Sequence, residues 1–338
     1  MTKYSRRLQK IGSSLLISLP SEWIKSNNLR KSSIIIIEIN NDSSISLFPP
    51  EIASGEMKEV TIPYHPTSMD SIVNQIYGAY LLGYDYIRIR GISSIKFEDR
   101  DTIKYAMRKL VGLEIVDEDG SNITSQFLLD ATTLDAAKIL RRMNSIVAGM
   151  CRDIMAGLRI KENNMEKLII HRDDEVDRQY FLLVRLIRSA MLNQRLAHKL
   201  NLSNIDILDY RIAANHLESA GDYITDFALA IPQISHIRLV NEITDAGLLI
   251  EKMQEKSVSA FVNKNRTEYI EIVKIYNKFN AIMNSIKELS ANMESRNNTQ
   301  STIAILNAIY SLDKIARCWV DVADLVKPVH LTAPFSGA

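Results

Sequence analysis

The residues best placed to do chemistry are two pairs of carboxylates, Asp173 with Asp177 and Glu218 with Asp222. In a helix, a spacing of four puts both members of a pair on one face. Val176 precedes Asp177 and Leu217 precedes Glu218, so each pair borders an apolar stripe instead of lying on the opposite, solvated side. If the pairs face each other, four carboxylates repel strongly in a partly buried groove. Hard cations that prefer oxygen ligands relieve that repulsion most simply. Iron, manganese, magnesium and calcium all accept such ligands, so these residues indicate a metal site without naming its metal. The competing reading is an acidic, hydrated helix edge neutralised by Arg172, Arg178 and Arg211, and by spacing alone it is the commoner arrangement.

A second constellation lies at the N-terminal end. The whole chain of 338 residues carries a net charge of +1, which argues against a bulk nucleic-acid condenser. Within the first fifty residues, however, Lys3, Arg6, Arg7, Lys10, Lys25, Arg30 and Lys31 face only Glu22, Glu38 and Asp42. A dimer would double that basic patch, with Arg6, Arg7, Lys10, Lys25 and Arg30 as candidate phosphate contacts. A basic strand that blunts a sheet edge is the simpler alternative.

Other chemistries find no residues to perform them. The chain shows no Gly-rich phosphate loop, Gly-x-Ser-x-Gly turn or His-Glu-x-x-His helix, so no catalytic nucleophile stands out and an enzyme is not expected. A carboxylate-bridged diiron oxidase needs Glu-x-x-His pairs, and neither acidic motif has a histidine three residues on. His171 and His216 are only secondary candidates. The two cysteines, Cys151 and Cys318, are too few for a thiolate cluster and read as small core residues. No run of 18 uncharged apolar residues occurs and the first residues are polar, so a cytoplasmic protein without membrane insertion is expected.

The elements that must position these groups fall into three parts. Residues 1–50 read as β-rich: a basic strand over 5–11, a Gly12-Ser-Ser turn, a returning strand over 15–19, and a short helix with Pro20 in its first turn, ended by Asn27-Asn28. Four consecutive isoleucines within 33–39 fit a strand buried on both faces, and Asn40-Asn-Asp42 turns the chain into 45–48. Fifty residues bury too little surface alone, so a second copy is expected to complete this core. Residues 57–130 alternate strand and helix, with strands over 60–62, 86–90, 114–117 and 122–128 and helices over 69–82 and 99–111. Residues 131–330 are helical, with segments over 134–160, 165–200 and 204–230 and a second set after Pro232. A shift of 95 residues lays Leu217, Glu218, Asp226 and Ala228 on Leu312, Asp313, Asp321 and Ala323, the mark of two diverged three-helix repeats. The expected fold class is multidomain α+β.

Residues 210–226, with Glu218-Ser-Ala-Gly-Asp222 inside them, resemble the helix signature of the PhoU family, and Asp173 to Asp177 matches its companion motif. The similarity covers roughly residues 134–326. It implies a pair of three-helix bundles whose acidic motifs bind metal clusters, iron or another hard cation, in proteins that repress phosphate uptake through a transporter and its signalling kinase. The later repeat departs from the pattern: Glu268 and Asp313 remain, but Arg317 stands where the motif has its second acid. One site per chain is therefore expected, at Asp173, Asp177, Glu218 and Asp222.

Residues 6–20, Arg-Arg-Leu-Gln-Lys-Ile-Gly-Ser-Ser-Leu-Leu-Ile-Ser-Leu-Pro, resemble the SpoVT/AbrB swapped-hairpin family, which dimerises and binds DNA through basic residues of its first strands. Tyr80-Leu-Leu-Gly-Tyr84 and the stretch 110–116 resemble the segment that joins the two parts in combined AbrB and PhoU regulators. Together the resemblances imply a phosphate-responsive transcriptional regulator that forms a homodimer on DNA. The alternative is an adaptor that docks on a phosphate transporter's ATPase or a kinase without engaging DNA.

Overall fold

The computed structural model describes residues 3–39, 43–49, 57–160, 162, 165–234, 236–293 and 299–326. Its two compact units are Met1–Met57 and Lys58–Ala338. The expected turn at 40–42 lies outside the described residues.

In the first unit, β1 (Gln9–Ile11) and β2 (Ser14–Leu16) form an antiparallel hairpin, with Lys10 opposite Leu15. Gly12 turns the hairpin at a φ of +64°, a conformation that costs little without a Cβ. Both strands are shorter than predicted, so Arg6 and Arg7 precede β1 rather than belong to it. Helix α1 (Ser21–Ser26) follows, and Pro20 stands just before it in an extended conformation instead of inside its first turn. The strands β3 (Ile36–Ile39) and β4 (Ile45–Phe48) pair antiparallel, with Ile37 opposite Leu47. None of the described residues of this unit is buried. Ile37 is 62% and Ile39 81% exposed, so the isoleucine strand is uncovered in a single chain, where burial on both faces is the sequence expectation. Among the described residues, two two-stranded ribbons and one short helix have no second layer to pack on.

The second unit opens with a four-stranded sheet built from β5 (Glu59–Pro63), β6 (Tyr86–Arg90), β7 (Leu113–Glu118) and β8 (Asn122–Phe127), in the order β5-β6-β8-β7. The helices α2 (Met69–Leu81) and α3 (Phe97–Arg108) bury Ile72, Ile76, Tyr80, Ile103 and Met107 against Ile62, Ile87, Ile89 and Ile123 of the sheet. Tyr80 sits deep in this core, and its hydroxyl donates to Val111 O at 2.8 Å. After α3 the chain turns at Gly112, where an added Cβ would stand 2.7 Å from the Leu129 side chain.

Among the described residues, seven helices complete the unit: α4 (Ala136–Ile160), α5 (Met165–Leu192), α6 (Gln194–Lys199), α7 (Asn204–Ala230), α8 (Ile237–Asn263), α9 (Arg266–Met293) and α10 (Thr299–Asp324). The predicted helix over 165–200 is interrupted at Asn193, which is extended and whose side chain accepts from Leu196 N to start α6. An asparagine that caps the next helix competes with continuation of the previous one. The first repeat packs α5 against α4 and α7, and the second packs α9 against α8 and α10. The repeats join through α4 with α8 and α7 with α10. Across that seam the fully buried Trp319 donates its indole N–H to Asn144 Oδ1 at 2.7 Å.

Helix α5 is shared between bundle and sheet module. Its Arg185, only 4% exposed, donates through Nη1 to Tyr80 O at 2.7 Å and Tyr84 O at 3.0 Å. The guanidinium lies 3.8 Å from the Phe127 ring centroid. Next to it, the Tyr77 and Phe181 rings meet at 5.1 Å.

Candidate functional site

The helices α5 and α7 bring the two carboxylate pairs together. A reciprocal cap fixes the start of α7: Ser203 Oγ accepts from Asp206 N, and the Asp206 carboxylate accepts from Ser203 N. The face of α7 turned to the bundle includes Ala213, Ala214, Ala220 and Gly221, all buried, and such small residues let a neighbouring helix approach closely. At Gly221 the approach is so close that an added Cβ would stand 2.6 Å from Asp173 Oδ1.

The electrostatics of the four acids are shared. Burial pushes Asp173 up to about 7, and the charges of Asp177, Asp222 and Glu218 push in the same direction. Burial and then Asp222 raise Asp177 to about 6, against the pull of Lys109. Glu218 rises to about 7 through burial, Asp222 and Asp177, opposed by a hydrogen bond from Ser219 and by Arg211. Partial burial and Asp226 raise Asp222. Ionising all of these groups together is therefore costly without added positive charge.

Two of the arginines that could neutralise this face are engaged elsewhere, and the third, Arg211, acts on Glu218. Arg172 pairs with Asp153 at 2.6 Å and Arg178 with Glu175 at 3.2 Å, while Arg211 lies over the Tyr180 ring at 5.2 Å. Two neighbours outside the predicted quartet also belong to the setting. Lys109, at the end of α3, holds Asp174 Oδ1 at 2.8 Å, and Asp226 extends the acidic row along α7.

The donor set, carboxylate oxygens only, suits a hard cation in its chemistry. Among the described residues, no group of three or more His, Cys, Asp or Glu side chains is arranged to hold one metal ion. The acids line a face, and their carboxylates would have to close on an ion to hold it. In the second repeat Arg317 is exposed and interacts with Tyr276, Asp313 and Asp321. The sequence-equivalent place thus carries its own cation. His216 acts on Asp321 rather than on the first-repeat quartet.

In the N-terminal unit, Arg6, Arg7, Lys10, Lys25 and Arg30 are all exposed. Arg6 lies over the Tyr4 ring at 5.7 Å, and Tyr4 donates its hydroxyl to Glu22. Arg7, Lys10, Lys25 and Arg30 form no ion pair among the described residues. They are left available to a polyanion.

Comparison with known proteins places both parts. A model of the PhoU domain matches twice, over residues 140–231 and 243–326, in keeping with two diverged repeats. A model described as "Antidote-toxin recognition MazE, bacterial antitoxin" matches residues 8–52, so the N-terminal unit is a MazE/AbrB-like domain. A phosphate-specific transport system accessory protein PhoU homolog from Clostridium acetobutylicum is 29% identical over 161 residues, 44% of this chain and 72% of that protein. Among solved structures, PhoU from Pseudomonas aeruginosa superposes with a TM-score of 0.51 at 16% identity, covering 56% of this chain and 93% of that one. The PhoU regulatory protein from Streptococcus pneumoniae gives 0.49 at 15% identity, covering 56% and 91%. The two PhoU matches together span more than half of the 338 residues, and the chain belongs to the PhoU family, with a MazE/AbrB-like domain at its N-terminal end.

Proposed function

We propose that this protein is a phosphate-responsive transcriptional regulator, in which the N-terminal unit dimerises on operator DNA and the carboxylate face of α5 and α7 senses metal or phosphate status. The observation that carries the reading is the set of exposed cations, Arg6, Arg7, Lys10, Lys25 and Arg30, on a unit none of whose described residues is buried. A unit that leaves Ile34, Ile37 and Ile39 exposed gains by covering them with a second copy. Pairing two copies also doubles the positive surface offered to phosphates. No catalytic step is assigned to the protein. Action on DNA would place it in the cytoplasm, and among the described residues no helix is long and apolar enough to cross a membrane.

A hard cation bound at Asp173, Asp177, Glu218 and Asp222 would supply the positive charge that lets these acids ionise together. The chain's part is to hold the acids on facing helices, with Gly221 leaving room for Asp173. The second reading, an adaptor for a transporter ATPase or a kinase, draws on the name of the Clostridium acetobutylicum relative, a transport accessory protein homolog.

The deciding experiment is binding of the full-length protein to its own upstream DNA and to a scrambled duplex, from about 50 to 200 mM salt. Preference for the native fragment throughout the range supports the regulator. Weak, equal binding that vanishes with salt sinks it in favour of the adaptor.

A further inference from the structure

We infer that the cavity between the sheet module and α5 is a binding site for an α-amino acid with an aliphatic side chain. The cavity measures about 230 Å³, room for a small organic molecule rather than a single water, whose share of liquid volume is about 30 Å³. Its walls come from both sides, Asp85 and Leu129 from the module and Leu182, Arg185 and Leu186 from α5. The polar part of that wall holds an unfinished ion pair. Arg185 is only 4% exposed, and a cation so deeply buried ordinarily has its donors filled. Its Nη1 donates to both Tyr80 O and Tyr84 O, and the Tyr80 and Phe127 rings lie against the guanidinium. Holding the carbonyls thus uses one nitrogen. The ion pair of Nη2 is with Asp85 Oδ1 at 3.7 Å, beyond hydrogen-bond distance. On Asp85, Oδ2 accepts from Lys58 N at 2.9 Å, and among the described residues Oδ1 has no hydrogen-bond donor. A cation and an anion therefore stand side by side on the cavity wall, each with bonding capacity left and too far apart to satisfy the other.

An α-amino acid carries the complementary charges one carbon apart. Its carboxylate accepts from Arg185 Nη2 and its ammonium donates to Asp85 Oδ1, two charge-assisted bonds in a site largely shielded from water. Leu129, Leu134, Leu182 and Leu186 supply the apolar remainder of the wall, which suits an aliphatic side chain. Asp130 also borders the cavity, and its carboxylate already accepts from Thr132 N. Two carboxylates beside one guanidinium favour a ligand that brings an ammonium and disfavour a multiply charged anion such as inorganic phosphate. An occupant touches the module and α5 at once, so binding steadies the docking that Arg185 provides.

The test is titration calorimetry of the full-length protein with L-leucine, L-isoleucine and L-valine. At least one should bind. Asp85→Asn, which keeps an acceptor for Lys58 N, should weaken that binding about 10-fold or more, the usual cost of a lost charge-assisted hydrogen bond. 4-Methylpentanoate, which is leucine without its ammonium, should bind wild type more weakly than leucine by a similar factor. Ala131→Phe puts a ring into the cavity that Ala131 lines, and should abolish binding with little change in melting temperature. Binding of none of the three amino acids overturns the inference, as does wild-type affinity in Asp85→Asn or in Ala131→Phe. Equal binding of 4-methylpentanoate and leucine, or displacement of the amino acid by inorganic phosphate, overturns it in favour of a simple anion site. If neither variant folds, the comparison of leucine with 4-methylpentanoate on wild type decides.

Discussion

Asp173 Oδ1 lies 2.6 Å from the point that a Cβ on Gly221 would occupy. The contact joins α5 to α7 at the middle of the carboxylate face, and the atom in the way is the tip of a flexible side chain, free to rotate aside. Gly221→Ala should therefore leave the fold intact, because alanine within a helix gains about 1 kcal/mol over glycine. The cost should fall on the position of Asp173. We expect a melting temperature no lower than wild type, with Mn²⁺ affinity reduced about 10-fold, the usual effect of disturbing a ligand's support. Unchanged affinity in calorimetry would remove Asp173 from the site.

The same face predicts how stability depends on pH in cation-free protein. Asp173 and Glu218 are raised to about 7 and Asp177 to about 6, from ordinary carboxylate values of 3.8 and 4.5. Acids whose folded pKa is raised bind more protons folded than unfolded between those limits, so stability falls as pH increases. Their contribution is fully present below the ordinary carboxylate range and is lost as pH rises through about 7. Thermal melts in chelator should show this decline. The double variant Asp177→Asn with Glu218→Gln should flatten it and lose Mn²⁺ retention, because neutral amides neither titrate nor replace anionic ligands. A double variant with wild-type slope and full metal content would overturn the assignment.

Much of this site could be read along the chain because its parts are local. Acids four apart beside an apolar stripe describe a helix face. Strand β4 and helix α7 run over the predicted residues. The unread parts join distant segments. Lys109 and Asp174 are 65 residues apart, and nothing in the periodicity of α3 or α5 pairs them. Arg185 did leave a trace, an arginine alone in the apolar run Phe-Leu-Leu-Val-Arg-Leu-Ile. That run is apolar on every side because α5 is covered by the bundle on one flank and the sheet module on another. The exposed isoleucines of β3 show the opposite limit: composition gave the need for burial, but the cover is not in the single chain.

For the N-terminal unit, Arg7→Ala combined with Lys10→Ala should weaken DNA binding at all sequences and flatten its salt dependence. Each lost phosphate contact reduces the slope of log affinity against log salt by about 1. Both side chains are exposed and make no ion pair among the described residues, so the mass by light scattering should be unchanged. A wild-type salt slope in the variant would show that the DNA contacts lie elsewhere.

The clamp at Arg185 yields a prediction about how the module is held. Arg185→Met keeps much of the apolar stem but leaves the carbonyls of Tyr80 and Tyr84 without their donor, and it removes a cation from the face of Phe127. Losing hydrogen bonds from a charged donor and a buried cation–π contact should cost about 2–4 kcal/mol. Because Asp85, its ionic partner at 3.7 Å, is about a third exposed, the orphaned carboxylate can hydrate and adds little. The loss should appear as a lower denaturation midpoint, with faster hydrogen exchange in α2 and β8. Among the described residues the polar and ring contacts of Arg185 go to the sheet module, so the second repeat, α8 to α10, should keep its wild-type protection. Equal loss of protection in both repeats would mean that Arg185 supports the bundle as a whole rather than the docking of the sheet module onto α5.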